Sequence, residues 1–200
     1  MNYFVVQVMT GAEERYLKLA ERALETESAS WTHLFEPAEA ANPASLPQEP
    51  GRLLWPRRRL TIIKRGIRKQ VLAPIFPGYL FYEAEAVSAG AFHLLKRNSG
   101  FVKFLKDNHN IQPLSGPDRE LLLHFISFGE IVDRSKVYLD ANRRVRVASG
   151  PLKGLEGRIV KVDKRKGRAK VRLSLYENSF LIDFGFDLLS AAEKHEEGKA

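Results

Sequence analysis

The 200-residue sequence predicts an α+β fold: an N-terminal α/β sandwich, with an antiparallel sheet flanked by helices, joined by a linker to a small five-stranded β-barrel. Three observations carry that prediction. Over roughly the first 130 residues, strand-like apolar runs interleave with segments of helical spacing, the pattern of a compact sandwich. From residue 143 the chain changes to short β-rich runs separated by glycine-containing turns, the pattern of a small barrel. Between them, residues 129–142 are charged and aperiodic. The predicted organisation is a domain at 1–130, a linker at 131–142, a barrel at 143–190 and a frayed polar tail at 191–200.

The run Tyr3-Phe4-Val5-Val6-Gln7-Val8-Met9 is rich in aromatic and β-branched residues and reads as a strand. Thr10 and Glu13 then have the spacing of a capping box, and Tyr16, Leu17, Ala20, Ala23 and Leu24 recur at helical spacing, predicting a helix to about Glu25. A short strand is predicted at 31–35. Pro37, Pro43, Pro47 and Pro50 make 36–51 an extended loop with no chemistry assigned to it. Residues 53–75 read as two strands around the turn Lys64-Arg65-Gly66, and Pro77-Gly78 introduces a third at Tyr79-Leu80-Phe81-Tyr82. A helix at 86–97 and a strand at 101–105 follow. Ser115-Gly116-Pro117-Asp118 opens a further helix whose buried stripe is Leu121, Leu122, Phe125 and Phe128. The barrel strands are drawn from 145–147, 155–163, 168–173 and 180–183, with turns at Gly150-Pro151 and Lys166-Gly167.

Composition narrows the function. With 44% hydrophobic and 28% charged residues, wholesale disorder is excluded. The net charge of +8 is unevenly spread: residues 1–52 carry −4, while 53–142 and 143–200 carry +6 each, a concentration that points to a polyanionic partner. No cysteine is present, so disulfides, thiolate metal sites and a cysteine nucleophile are excluded. The apolar stretch at 70–82 is broken by Pro74, Pro77 and Gly78 and is too short to span a bilayer, and no basic region precedes the first apolar run. A cytoplasmic protein that engages no membrane is expected. His33, His93, His109, His124 and His195 are scattered without ligand spacing, and the glycine-rich stretch at 150–157 lacks the Gly-Lys-Ser/Thr of a phosphate-binding loop. No catalytic residue, metal or cofactor is assigned.

Two segments resemble a known family. Val145-Arg146-Val147-Ala148-Ser149-Gly150-Pro151-Leu152-Lys153-Gly154-Leu155-Glu156-Gly157-Arg158-Ile159-Val160 is similar to the KOW motif, in which a strand enters Gly-Pro-x-x-Gly-x-x-Gly and a second strand leaves. Phe76-Pro77-Gly78-Tyr79-Leu80-Phe81, placed after the Tyr3-Phe4-Val5-Val6-Gln7 strand, resembles the N-terminal (NGN) domain of NusG-family transcription elongation factors, as do Phe101-Val102-Lys103-Phe104-Leu105 and Ile111-Gln112-Pro113-Leu114-Ser115. The resemblance implies an NGN-like sandwich and an SH3-like KOW barrel, no enzymatic activity, and a monomer whose N-terminal domain docks on the clamp helices of RNA polymerase and suppresses pausing or termination. General members commonly carry aromatics in the KOW loop that help bind Rho or a ribosomal protein. Leu152 and Leu155 stand there instead, so engagement of either partner is in doubt, and the basic barrel is more similar to the LoaP-type antiterminators.

The resemblance assigns polymerase docking to Tyr3, Val5, Gln7, Phe76, Tyr79 and Phe81, expected to form an exposed apolar depression; periodicity alone allows these side chains to be core. Arg57, Arg58, Arg59, Lys64, Arg65, Arg68 and Lys69 form a basic hairpin that either lies against nucleic acid or is simply solvated. His93, Lys96 and Arg97, with Ser88 and Asn98, are placed toward the non-template DNA strand. In the barrel, residues 143–172 hold twelve cations against Glu156 and Asp163. The residues assigned there to nucleic acid, RNA before DNA, are Arg144, Arg146, Lys153, Lys164, Arg165, Lys166, Arg168, Lys170 and Arg172. On the strand at 168–173, Ala169, Val171 and Leu173 face inward, which aligns Arg168, Lys170 and Arg172 outward. The alternative is a ribosome-associated KOW protein that binds structured RNA, for which the segment at 76–81 has no use.

Overall fold

A computed structural model describes residues 1–32, 51–140, 142 and 145–189. In chain order the elements are β1 (Asn2–Val8), α1 (Glu13–Thr32), β2 (Arg52–Leu54), β3 (Arg57–Lys64), β4 (Ile67–Pro74), β5 (Tyr79–Ala84), α2 (Ala89–Arg97), β6 (Phe101–Phe104) and α3 (Gly116–Ile126). They continue with β7 (Ile131–Val132), β8 (Ser135–Leu139), β9 (Val145–Ser149), β10 (Ile159–Asp163), β11 (Arg168–Leu175) and β12 (Asn178–Leu188). The chain divides into two compact units, Met1–Trp55 with Pro77–Leu114, and Pro56–Phe76 with the chain from Ser115 onward.

The first unit is a four-stranded sheet in the order β2-β5-β1-β6, with β1 antiparallel to both neighbours. Phe4, Val6 and Val8 of β1 and Leu80 and Tyr82 of β5 share one face and form a core with Tyr16, Ala20 and Leu24 of α1 and Leu94 and Leu95 of α2, as alternation requires. Glu13, buried at the start of α1, accepts backbone hydrogen bonds from Gly11 (2.7 Å) and Gly78 (2.8 Å). It therefore ties the first helix to the Pro77-Gly78 turn instead of closing a box with Thr10. Gly78 has φ +82°, and a Cβ there would lie 2.9 Å from Thr10 Oγ1, so the turn into β5 needs glycine. The helix α2 is capped by Ser88, whose hydroxyl accepts from the Ala91 amide at 3.1 Å.

The second unit combines a hairpin, a helix and a curved sheet. Strands β3 and β4 pair antiparallel and β7 joins β3 in parallel, giving the order β4-β3-β7. Lys64 pairs with Ile67 around Arg65 (φ 52°) and Gly66 (φ 78°), a two-residue turn with both residues left-handed, the form that suits strand twist. The five KOW-region strands lie in the order β10-β11-β12-β8-β9, with only the β12–β8 pair parallel. Phe125 of α3 stacks on Phe184 of β12 with ring centroids 5.4 Å apart and meets Phe76 edge-on at 6.0 Å. Ser135 Oγ accepts from the Leu152 amide at 2.9 Å, fixing the Gly150-Pro151 loop across the sheet.

Several expectations change. The helix α1 runs to Thr32 rather than Glu25 and takes in Trp31, where a strand was expected: Gly and Pro are absent from 13–32, so no breaker stops it at Glu25. The rest of that expected strand, the proline-rich loop and the tail fall outside the described residues, except Gly51. The expected linker at 131–142 contains β7 and β8, because Ile131 and Val132 pair with β3 while Val137 is fully buried in the sheet. Pro56–Phe76 and α3, assigned by sequence to the N-terminal domain, belong to the same compact unit as the KOW strands. Phe128, expected in the α3 stripe, is 43% exposed, whereas Leu121, Leu122 and Phe125 are buried.

Candidate nucleic-acid interface

The side chains that the resemblance assigns to polymerase docking are paired across β1 and β5 of the first unit but are not open. Register places Val5 opposite Phe81 and Gln7 opposite Tyr79, and Tyr3 donates its hydroxyl proton to Glu83 Oε1 at 2.9 Å. Tyr3, Val5, Tyr79 and Phe81 are buried rather than exposed as the sequence suggested, and Phe76, in the second unit, is buried as well. The physical signal was in the strands themselves: Val5 of β1 and Phe81 of β5 are as apolar as the side chains on the opposite, helix-facing side. Gln7 alone of the set is half-buried. Burial pushes the Tyr79 hydroxyl above its ordinary titration range. On α2, His93, Lys96 and Arg97 are exposed together, with Lys96 Nζ 5.5 Å above the Phe92 ring. Asn98 instead turns back to the Leu94 carbonyl at 2.8 Å.

In the second unit the basic residues sort into those used by the fold and those left to solvent. Arg58 is buried: its Nε donates to the Asp183 carbonyl at 2.5 Å, Nη1 donates to the Pro74 carbonyl, and the guanidinium lies 5.7 Å from the Phe184 ring centroid. Burial lowers it to about 10, opposed by the Asp183 carboxylate and aided by Arg168. It is a structural cation, which removes it from the nucleic-acid set. Its neighbours on β3 are also engaged: Arg57 with Glu130 at 3.8 Å and Arg59 with Asp133 at 2.6 Å. Lys64, Arg65, Arg68 and Lys69 at the hairpin end are exposed.

On β11 the alternation is as expected, with Ala169, Val171 and Leu173 fully buried and Arg168, Lys170 and Arg172 on the other face. The repulsion of that row is relieved by Asp183 on β12, which lies 4.0 Å from Arg168 and 3.7 Å from Lys170, so a phosphate is not required to explain it. Arg168 further donates to the Thr61 carbonyl of β3 at 2.5 Å. Arg172 borders a separate hollow of about 320 Å³ with Asp118 and Arg158. Arg146 is held by Asp140 at 3.2 Å, Lys153 is exposed, and Arg144 lies outside the described residues. Lys164, Arg165 and Lys166 project from the β10–β11 turn, where the Lys166 amide donates to Asp163 Oδ1 at 3.0 Å and holds that carboxyl below its usual range.

Sequence reasoning missed Arg134. Its Nε pairs with Asp187 at 2.8 Å, Nη1 donates to Thr61 Oγ1 at 3.1 Å, and Nη2 donates to the Phe186 carbonyl. The side chain runs beside Gly167 and Gly185: a Cβ at Gly167 would lie 2.8 Å from Nη2, and one at Gly185 3.0 Å from Cγ. No local signal marks Arg134, because the two glycines that make room for it are remote from it in sequence. Leu152 and Leu155 of the KOW loop are buried rather than displayed. Among the described residues, no group of three or more His, Asp or Glu side chains is placed to hold a metal ion, and no helix is long and apolar enough to cross a membrane.

The chain is similar to known proteins over most of its length. The family model described as transcription termination factor NusG matches residues 1–123, and the KOW motif model matches 141–172. The chain is 28% identical over 141 residues to the transcription termination/antitermination protein NusG of Buchnera aphidicola, covering 68% of this chain and 75% of that one. It is 23% identical over 146 residues to the corresponding Pseudomonas aeruginosa protein, covering 72% and 81%. A solved structure described as domain interaction in Thermotoga maritima NusG is similar in fold, with a TM-score of 0.52 at 16% identity over 92% of this chain and 93% of that chain.

Proposed function

Because the chain belongs to the NusG family, we propose that it acts on transcribing RNA polymerase as a termination/antitermination factor, bound through its N-terminal part and contacting nucleic acid through its basic hairpin and KOW region. It is a transcription factor, not an enzyme. The observation that carries the reading is the match of both family models in order along one chain, at 1–123 and 141–172. A ribosome-associated KOW protein would account for the second match alone, so that alternative is set aside.

Docking on the polymerase clamp helices uses the apolar set around Tyr79 and Phe81; since those side chains are buried, contact requires that face to be uncovered first. His93, Lys96 and Arg97 face the non-template strand. The buried Leu152 and Leu155 favour a specialised, LoaP-like role over recruitment of Rho or a ribosomal protein through this loop. The test is to add the full chain to purified RNA polymerase and read co-migration together with pausing and terminator read-through on a defined template. Co-migration with altered pausing or read-through supports the reading; a chain that neither co-migrates nor alters either refutes it.

A further inference from the structure

A groove of about 780 Å³ runs through the second unit between the β3–β4 hairpin and the β10–β11 turn. One wall is the hairpin face on which Thr61 pairs with Gln70 and Ile63 with Arg68. The opposite wall is the turn carrying Lys164, Arg165 and Lys166, together with the end of β12. Arg134 and Arg168 complete the lining, with side chains only 20% and 21% exposed. Six cations line this space against one carboxylate, Asp187. Two basic segments far apart in sequence thus meet across one depression.

The charges divide by mobility. Arg134 and Arg168 are immobilised by the Phe186 and Thr61 carbonyls and by Asp187 and Asp183, so they give the groove a fixed positive floor. Arg68 and Lys164 have no ion-pair partner among the described residues, Arg165 acts on Asp163 from beyond ion-pair distance, and Lys166 reaches Asp163 at 3.7 Å. Solvated cations on both rims over a pre-ordered cationic floor are arranged for a chain of regularly spaced anions. Ile63 and Leu188, 63% and 54% exposed, add apolar surface at the margins. That pairing of cations with exposed apolar side chains suits unstacked bases better than a closed duplex, which hides its base faces.

We propose that the hairpin and the β10–β11 turn form one composite site that holds the backbone of a single-stranded nucleic acid along this groove. The proposal rests on the reading of the protein as a transcription factor that contacts nucleic acid, and adds to it which strand form binds and that two distant segments bind it together. Strand chemistry, RNA or DNA, is read by the same experiment.

The test is fluorescence anisotropy of the full chain with end-labelled single-stranded RNA, single-stranded DNA and the matching duplex, across a potassium chloride series. Arg68→Gln removes one wall's charge, and Lys164→Gln with Arg165→Gln removes the other's; Lys18→Gln, on the exposed face of α1 and assigned to no binding surface, controls for overall charge. Single strands should bind more tightly than duplex. Arg68→Gln should make the slope of log K against log salt shallower by about 0.7 and weaken binding roughly tenfold at low salt; the turn pair, two contacts, should make it shallower by about 1.4 and weaken binding by roughly the square of that, about a hundredfold. The control should leave both quantities near wild type. If the turn pair weakens binding and Arg68→Gln does not, the composite site is wrong while nucleic-acid contact stands. Tighter binding of duplex overturns the strand assignment, and no binding of any probe by the wild-type chain overturns both the site and the reading beneath it.

Discussion

Two runs of three consecutive cations, Arg57-Arg58-Arg59 and Lys164-Arg165-Lys166, have the same charge and opposite fates. The first lies on a strand paired on both sides, by β4 and β7, so alternation sends its side chains to opposite faces. Each finds a partner there: Glu130, the Asp183 and Pro74 carbonyls, and Asp133. The second lies on a turn outside the strand ladder, and of its three cations only Lys166 comes within 4 Å of a carboxylate among the described residues. Basic character marks a ligand surface only where the fold leaves the cation without a partner of its own. The carboxylates and carbonyls within reach, not residue type, separate the cations that hold this unit together from those free to meet a polyanion.

The same contrast governs the aromatics, and it carries the largest expected effect. Phe81 is fully buried on β5 opposite Val5, although its residue type and position mark it for docking. Phe81→Ala should lower unfolding free energy by about 3–5 kcal/mol, as removal of a buried ring does. Denaturant unfolding followed by circular dichroism reads this directly. A loss under about 1 kcal/mol would show the ring to be on an open face in solution, restoring the exposed depression expected from sequence.

Arg58 gives the next effect. Arg58→Ala strands the Asp183 and Pro74 carbonyls and removes the cation over Phe184, for a loss of about 2–4 kcal/mol. Arg58→Lys should recover little, because one ammonium does not reproduce a planar fork serving two carbonyls. If Arg58→Ala unfolds at the wild-type denaturant midpoint, the run it belongs to is no more structural than the turn, and the comparison fails.

Gly167 sharpens the comparison at the point where the two segments meet. With φ +59°, and with a would-be Cβ 2.8 Å from Arg134 Nη2 and 2.9 Å from the Phe186 carbonyl, Gly167→Ala should cost about 1–2 kcal/mol. The Arg134–Asp187 pair is the contact expected to shift, readable as a displaced Arg134 Nε resonance. An unchanged resonance and an unchanged midpoint would mean that the turn does not constrain Arg134.

Local signals made much of this molecule legible. Alternation in Phe4, Val6 and Val8 gave the helix-facing side of the first sheet, Ser115-Gly116-Pro117 gave the start of α3, and Gly150-Pro151 gave the KOW loop. What escaped is set by pairing between distant segments. Ile131 and Val132 form too short a strand to show periodicity and are strand only because β3 lies beside them. Arg58 looked like Arg57 and Arg59, which are only half-buried, because its burial against Phe184 is a tertiary fact. Arg134 was overlooked because its two positioning glycines, Gly167 and Gly185, are remote in sequence. The groove was half legible: both rims were assigned to nucleic acid, but their meeting was not.

The smallest effect belongs to the turn itself. Lys164 has no ion-pair partner among the described residues, Arg165 reaches no carboxylate within 4 Å, and both are exposed. Removing their charge therefore leaves no buried group unsatisfied. Lys164→Ala with Arg165→Ala should change unfolding free energy by no more than about 0.5 kcal/mol. The sign is also fixed by the surroundings. With Lys166, Arg168 and Arg134 nearby in the same groove, two fewer like charges reduce repulsion, so the variant should be the slightly more stable protein at low salt. Screening should erase the difference near ~1 M salt, where the Debye length is about 3 Å. Paired urea titrations of variant and wild type at low and high salt measure both points. A destabilisation above about 1 kcal/mol, or a difference that persists at high salt, would show that the turn's cations hold the fold as the β3 arginines do, and would leave the groove without the free charge its strand-binding role requires.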